Sequence, residues 1–150
     1  MSCARCQKAL RFQRSYDCAS LSVRVAPATE GRFGSINPLP RACAFYDAVL
    51  GEVGIKRIME FPRGPVWGSA MDKPGLGILT PFDGKPATAG NGTMVAIVVD
   101  GREKVARVHR KALEQGGKDE GAVGPRGDGF YAGYFRDLDG NKLNCLCWKQ

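Results

Sequence analysis

The chain has 150 residues, enough for one ordinary domain, and its 22 basic and 15 acidic side chains leave a net charge of +7. The surplus is uneven: residues 1–30 carry +3 through five basic and two acidic residues, and the remainder is a mixed-charge surface with no basic stripe interleaved with aromatics, which argues against a nucleic-acid face. The longest apolar run, Met94 to Val99, is six residues, a strand's length and too short to cross a bilayer, so no membrane partner is expected.

Residues 1–30 are Arg- and Ser-containing, poor in acids and without a clean period. They read as a disordered or mis-assigned extension ahead of a domain over 31–150. Two alternatives are an Arg-rich transit peptide and a genuine strand over Leu21–Val25, where Leu21, Val23 and Val25 alternate with Ser22 and Arg24. Cys3 and Cys6 form a lone CxxC with no second pair or partner histidine, so it lacks the ligands of a zinc site. Cys43 falls in a helical pattern, and Cys145 and Cys147 alternate in a strand, where free Cys behaves as a small buried hydrophobe. With no secretory segment in view, a reducing cytoplasm is the expected compartment.

A short strand is expected over 32–36, then a helix. Asn37 can cap it, and Pro38 or Pro40 suits its first turn. Ala42, Phe45, Tyr46, Val49 and Leu50 form one apolar stripe before Gly51 and Gly54 stop it. Strands are expected near 55–61, 66–71 and 75–80, punctuated by Pro62, Gly64, Pro65, Pro74 and Gly75. After a polar loop the order repeats. A strand over 93–99 leads to a helix from Asp100, with Glu103 as its capping-box partner and a stripe of Val105, Val108, His109, Ala112 and Leu113. The glycine-rich segment 119–129 reads as a loop, and two hairpin strands follow at 131–137 and 142–148 around Leu138-Asp139-Gly140-Asn141. That loop begins like a calcium site, but position twelve is Trp148, not Glu. His109, the one histidine, lies on the apolar stripe and reads as structural, so no Ser-His or Cys-His pairing is expected.

Leu39-Pro40-Arg41-Ala42 to Phe45-Tyr46-Asp47-Ala48-Val49-Leu50, the loop 81–93 with Asn91-Gly92-Thr93, and Tyr134-Phe135-Arg136-Asp137 with Asp139-Gly140-Asn141-Lys142-Leu143 together resemble the vicinal oxygen chelate superfamily, and most closely its bacterial glyoxalase-like subgroup. That superfamily includes glyoxalase I, bleomycin-resistance proteins, fosfomycin-resistance enzymes and extradiol dioxygenases. The resemblance covers about residues 32–148. It implies an α+β fold of paired βαβββ modules, a curled mixed sheet around a cleft with helices outside, often completed as a homodimer. It also implies one divalent metal held by His, Gln or Glu from several strands. At the corresponding offsets this chain has Gly31, Met94 and Asn144, with Gly77, Ile78 and Leu79 on the remaining strand. Only the Asn144 amide is a hard donor, so neither a metal nor another cofactor is expected.

Strand parity names the cleft. Met94, Ala96 and Val98 share one face of their strand, and Lys142, Asn144, Leu146 and Trp148 share one face of the last. With a four-residue turn over 138–141, Tyr131, Gly133 and Phe135 join them. The ligand-cleft candidates are therefore Met94, Ala96, Tyr131, Phe135, Lys142, Asn144 and Leu146; the alternative is that Met94 and Phe135 only fill core. Two functions compete. One is a metal-free protein that binds a small molecule to sequester or sense it. The other is a glyoxalase-type lyase with a degenerate metal site, in which Tyr131, Tyr134, Arg136 or Asn144 polarises a carbonyl.

Overall fold

Apolar residues at helical spacing make the first helix, and their burial fixes it. In the computed structural model, which describes residues 21–24 and 39–148 apart from 128, helix α1 spans Leu39–Gly51 and buries Ala42, Cys43, Phe45, Tyr46, Val49 and Leu50. Ahead of it, strand β1 is Leu21–Arg24, the segment whose alternation allowed a strand. The strand expected over 32–36 and the capping Asn37 lie outside the described residues. Three strands follow α1: β2 (Lys56–Phe61), β3 (Gly64–Gly68) and β4 (Gly75–Leu79). Their sheet runs β1-β4-β3-β2, with β1 parallel to β4 and the rest antiparallel.

The second half repeats this plan. Strand β5 (Val95–Val98) leads to helix α2 (Arg102–Glu114), then β6 (Lys118–Arg126), β7 (Phe130–Arg136) and β8 (Lys142–Trp148). Their order is β5-β8-β7-β6, again with the first strand parallel to the last and antiparallel pairs elsewhere. Two modules of identical strand order are the paired βαβββ architecture that the resemblance implied.

Two local expectations are corrected. Asp100 does not cap α2: the N-cap is Gly101 with no side-chain hydrogen bond, and the Asp100 carboxylate accepts from Lys104 at 2.9 Å instead. The glycine-rich segment is not a loop. It supplies most of β6, a nine-residue strand interrupted by two register shifts. Gly and Pro disfavour strands in general, but β6 is an edge, where Pro125 forfeits little and bulges are tolerated.

One core serves both modules. Residues of α1, Trp67 and Ile78 from the first sheet, Val105, Val108 and Ala112 of α2, and Ile97, Phe135, Leu143, Cys145 and Cys147 from the second sheet form a continuous buried cluster. Helix α2 lies across β6, β7 and β8, and α1 packs against α2. A polar clasp ties α1 to the β7–β8 turn. Tyr46 donates its hydroxyl to Asp137 at 2.7 Å, while Asp137 also accepts from the Asn141 backbone N–H and side-chain amide, each at 2.8 Å. Burial, and next the Asp137 carboxylate, push the Tyr46 hydroxyl well above its ordinary range, so it remains a donor. Arg41 reaches the same turn through Asp139 at 3.1 Å.

Candidate functional site

The site is set by one hairpin. Asp137 and Asn141 close its turn, the Asp137 N–H donating to the Asn141 carbonyl at 3.0 Å, and Gly140 takes the left-handed φ of 85° that the turn needs. The turn therefore holds five residues, 137–141, and the strands begin at the pair Arg136–Lys142. A one-residue change in turn length moves every side chain of the partner strand to the opposite face. That corrects two cleft candidates. Tyr131 and Phe135 stand opposite Cys147 and Leu143, on the face covered by α2. Phe135 is fully buried with its ring 6.2 Å from that of His109, and Tyr131 packs on the core beneath Arg102 of α2, whose guanidinium is 5.3 Å from the Tyr131 ring.

The side chains that do share the face away from α2 follow from the same register. Ala96, Asn144 and Tyr134 form one row across β5, β8 and β7; Val98, Leu146 and Ala132 form the next; Lys142 and Arg136 stand beside the first. Of the seven candidates, Ala96, Lys142, Asn144 and Leu146 lie on this face. Met94 precedes β5 and is 43% exposed, so it is neither core nor strand. Tyr134 and Arg136, which entered the sequence reading only as carbonyl-polarising groups, belong here by position. Arg126 and Glu120 carried no legible signal, because β6 itself did not read as a strand.

Charges on this face converge around Tyr134. The Arg126 guanidinium is 5.3 Å from the ring centroid and the Lys142 ammonium 5.8 Å. Glu120 pairs with Arg136 at 2.8 Å and with Lys142 at 3.3 Å. Its hydrogen bonds to Arg136, then to Lys142, hold its carboxyl below the usual range, so it stays ionised. Arg126 binds only the backbone carbonyls of Pro125 and Ala122, at 3.2 and 2.6 Å, and has no carboxylate partner among the described residues. Phe130 and Trp148 flank the face as an edge-to-face pair with centroids 5.8 Å apart.

Asn144 is 2% exposed, and its Oδ1, like Oδ2 of Asp139 in the β7–β8 turn, has no hydrogen-bond donor among the described residues. A buried acceptor left unsatisfied costs about 1–3 kcal/mol, and native structures rarely keep one without a reason. One strand away, a cavity of about 530 Å³ runs along β5 and is walled by Leu50, Trp67, Leu76, Ala96, Ile97 and Val98, with Lys73 and the paired Asp100 and Lys104 at its polar margin. That volume suits a small organic ligand. Ala96 lines the cavity and stands beside Asn144 in register.

His109 lies elsewhere. It is 5% exposed, its Nε2 is 3.1 Å from the Tyr134 carbonyl and 3.3 Å from Asp119, and it faces the side of β7 opposite the cleft. The metal of the superfamily does not match the donors present. The corresponding positions offer an exposed thioether at Met94, an amide at Asn144 and, on β4, Gly77, Leu79 and the core residue Ile78; Gly31 lies outside the described residues. Among the described residues no three His, Cys, Asp or Glu side chains stand together as a cation site. A divalent metal needs about three protein ligands.

The comparisons agree with this architecture. The model of the Glyoxalase/Bleomycin resistance protein/Dioxygenase superfamily matches residues 36–145. A glyoxalase/bleomycin resistance protein from Albidiferax ferrireducens T118 is 30% identical, with 86% of this chain and 96% of that one covered at a TM-score of 0.70. A glyoxalase/bleomycin resistance protein/dioxygenase family enzyme from Burkholderia phytofirmans PsJN is 15% identical, covering 86% and 96% at 0.62. A lactoylglutathione lyase from Agrobacterium tumefaciens is 16% identical, covering 90% and 96% at 0.60. The last two share the fold and support nothing finer. Among curated proteins, none matches the sequence. With the duplicated module, the family match over 36–145 and a relative at 30% identity, the chain belongs to the glyoxalase/bleomycin resistance/dioxygenase superfamily.

Proposed function

We propose that this protein binds a small molecule without a metal, to sequester or sense it, in the cleft formed by the β5–β8–β7 face and the cavity along β5. The observation that carries the reading is Asn144: a buried acceptor without a donor among the described residues, one strand from an apolar cavity of about 530 Å³, at a position where the resemblance places a metal ligand. An amide supplies one weak ligand where a carboxylate would supply a strong one, and Met94 supplies none for a hard cation. We take residues 31–150 as the functional domain, since all these side chains lie there. The reading extends to a homodimer, because Val98 and Trp148 leave large apolar surface exposed at the margin of the cleft, at 47% and 58%. It also extends to a reducing compartment such as the cytoplasm, in which Cys43, Cys145 and Cys147 stay as buried thiols.

The test is elemental analysis of tag-free protein desalted after incubation with zinc, nickel, manganese and ferrous iron, followed by a fragment screen read by thermal shift and amide NMR. Retention below about a tenth of an equivalent, with fragments shifting the amides of Ala96, Asn144 and Leu146, is expected. Near one equivalent per chain overturns the metal-free reading; turnover without bound metal favours the second one, a glyoxalase-type lyase with a degenerate metal site. That reading has its own support, since the register brings Tyr134 and Arg136 to the face of Asn144, where they could polarise a carbonyl.

A further inference from the structure

Strand β5 has an open edge, and the cavity lies along it. Among the described residues β8 is the only strand paired with β5. Val99 donates its N–H to the Leu146 carbonyl at 2.9 Å, with Val98 and Leu146 in register. Backbone groups alternate sides along a strand, so Val95, Ile97 and Val99 face β8, while the N–H and C=O of Ala96 and Val98 face the open edge. Proteins blunt such edges with charges, proline or bulges. Strand β2 carries Lys56, Arg57, Glu60 and a register shift, and β6 carries Pro125 and two shifts. Short as it is, β5 is Val-Ala-Ile-Val in unbroken register, with none of these devices.

The cavity of about 530 Å³ is lined by every residue from Val95 to Asp100 and, from the first module, by Trp67, Lys73 and Leu76. Its depth is apolar because Trp67 and Ile97 belong to the shared core. At its margin Lys104 is paired with Asp100 at 2.8 Å, whereas Lys73 has no carboxylate partner among the described residues. We propose, on the reading of this cavity as a ligand site, that it takes a short, extended apolar peptide with a free C-terminal carboxylate, added as a strand along β5. The peptide backbone pairs with the N–H and C=O of Ala96 and Val98, apolar side chains enter the cavity over Trp67 and Ile97, and the carboxylate meets Lys73. In strand addition of this kind the main-chain hydrogen bonds supply affinity and the side-chain pockets supply selectivity. An extended tripeptide spans about 10 Å, and the cavity volume is that of a small-ligand pocket, too small for a strand still attached to a second folded copy.

Acetyl-leucyl-valyl-leucine is the probe, with three variants: N-methylated at the valine, N-methylated at the last leucine, and amidated at the C-terminus. Because strand backbone groups alternate, one N-methyl variant loses a donor to β5 and the other turns its methyl away. Calorimetry and amide NMR on the full chain are expected to show the parent peptide binding with shifts at the Ala96 and Val98 amides. One N-methyl variant, and not the other, is expected to bind at least about fivefold more weakly. Amidation is expected to weaken binding, and Lys73→Gln, at an exposed turn position, to erase the difference between acid and amide. Equal affinity for the two N-methyl variants, equal affinity for acid and amide, unshifted Ala96 and Val98 amides, or no binding by any peptide overturns the proposal. Where fragments from the screen above still shift Ala96, the cavity stands with a different ligand. Where they shift only amides elsewhere, the reading of the cavity as a ligand site fails as well.

Discussion

Single residues in this protein show how burial decides what a side chain can do. Cys145 is fully buried, and burial, reinforced by its neighbour Cys147, pushes its thiol up to about 12. The thiolate is the reactive form, so a brief iodoacetamide pulse at pH 8 followed by peptide mass spectrometry should leave Cys145 unmodified in the native state and label it after denaturation. Asp139 is a buried carboxylate at a turn, and its pKa is raised by burial first and then by Asp137, with Arg41 opposing. A raised folded-state pKa means stability that is complete below the unfolded value near 3.9 and is lost as pH rises through the folded value. Asp139→Asn carries no such loss, so its stability relative to the parent should improve between pH 3 and pH 7, read as the difference in urea midpoints. A difference that shrinks over that range would contradict the raised pKa.

At the level of elements, two contacts hold helices to strands and each has a measurable cost. The Tyr46 hydroxyl, donating to Asp137, links α1 to the β7–β8 turn. Tyr46→Phe should cost about 1.5–3 kcal/mol in chemical denaturation, the range for a hydrogen bond to a charged acceptor. On the other side of the turn, α2 lies so close to β7 that a Cβ at Gly133 would stand 2.8 Å from His109 Cδ2 and 3.0 Å from Val123. Gly133→Ala should therefore destabilise by about 1–3 kcal/mol through overpacking, and Phe135→Ala beside it by about 3–5 kcal/mol through the cavity it leaves. Strand β6 shows the converse case. Its glycines and proline make a poor isolated strand, and pairing along β7 supplies the backbone hydrogen bonds that local preference does not.

Across the whole molecule, the core joins rather than separates the two modules: α1 and α2 pack together, and Trp67 and Ile78 belong to the same buried cluster as Phe135 and Leu143. A shared core predicts one cooperative transition, with fluorescence and far-UV circular dichroism giving the same midpoint. Two separated midpoints would mean that the modules unfold independently. No described helix is long and apolar enough to cross a membrane. The proposed dimer predicts a mass of twice 16.2 kDa by light scattering.

The duplicated order of strands and helices, the apolar stripes of α1 and α2 and the place of His109 on the second stripe were all legible in the sequence. Each depends on periodicity or on residue identity at a fixed offset from a motif, and both are local. Tyr131 and Phe135 were misplaced because strand parity is a two-state quantity that one extra turn residue reverses, and whether Asp137 belongs to β7 or to the turn depends on its hydrogen bonds to Asn141 and Tyr46. Strand β6, and with it Arg126 and Glu120, became visible only through its pairing with β7. The orphan oxygen of Asn144 and its distance of one strand from a cavity are properties of packing between residues far apart in the chain. Sequence determined the architecture; the tertiary structure decided which side chains share the face away from α2, because that depends on register and burial rather than on composition.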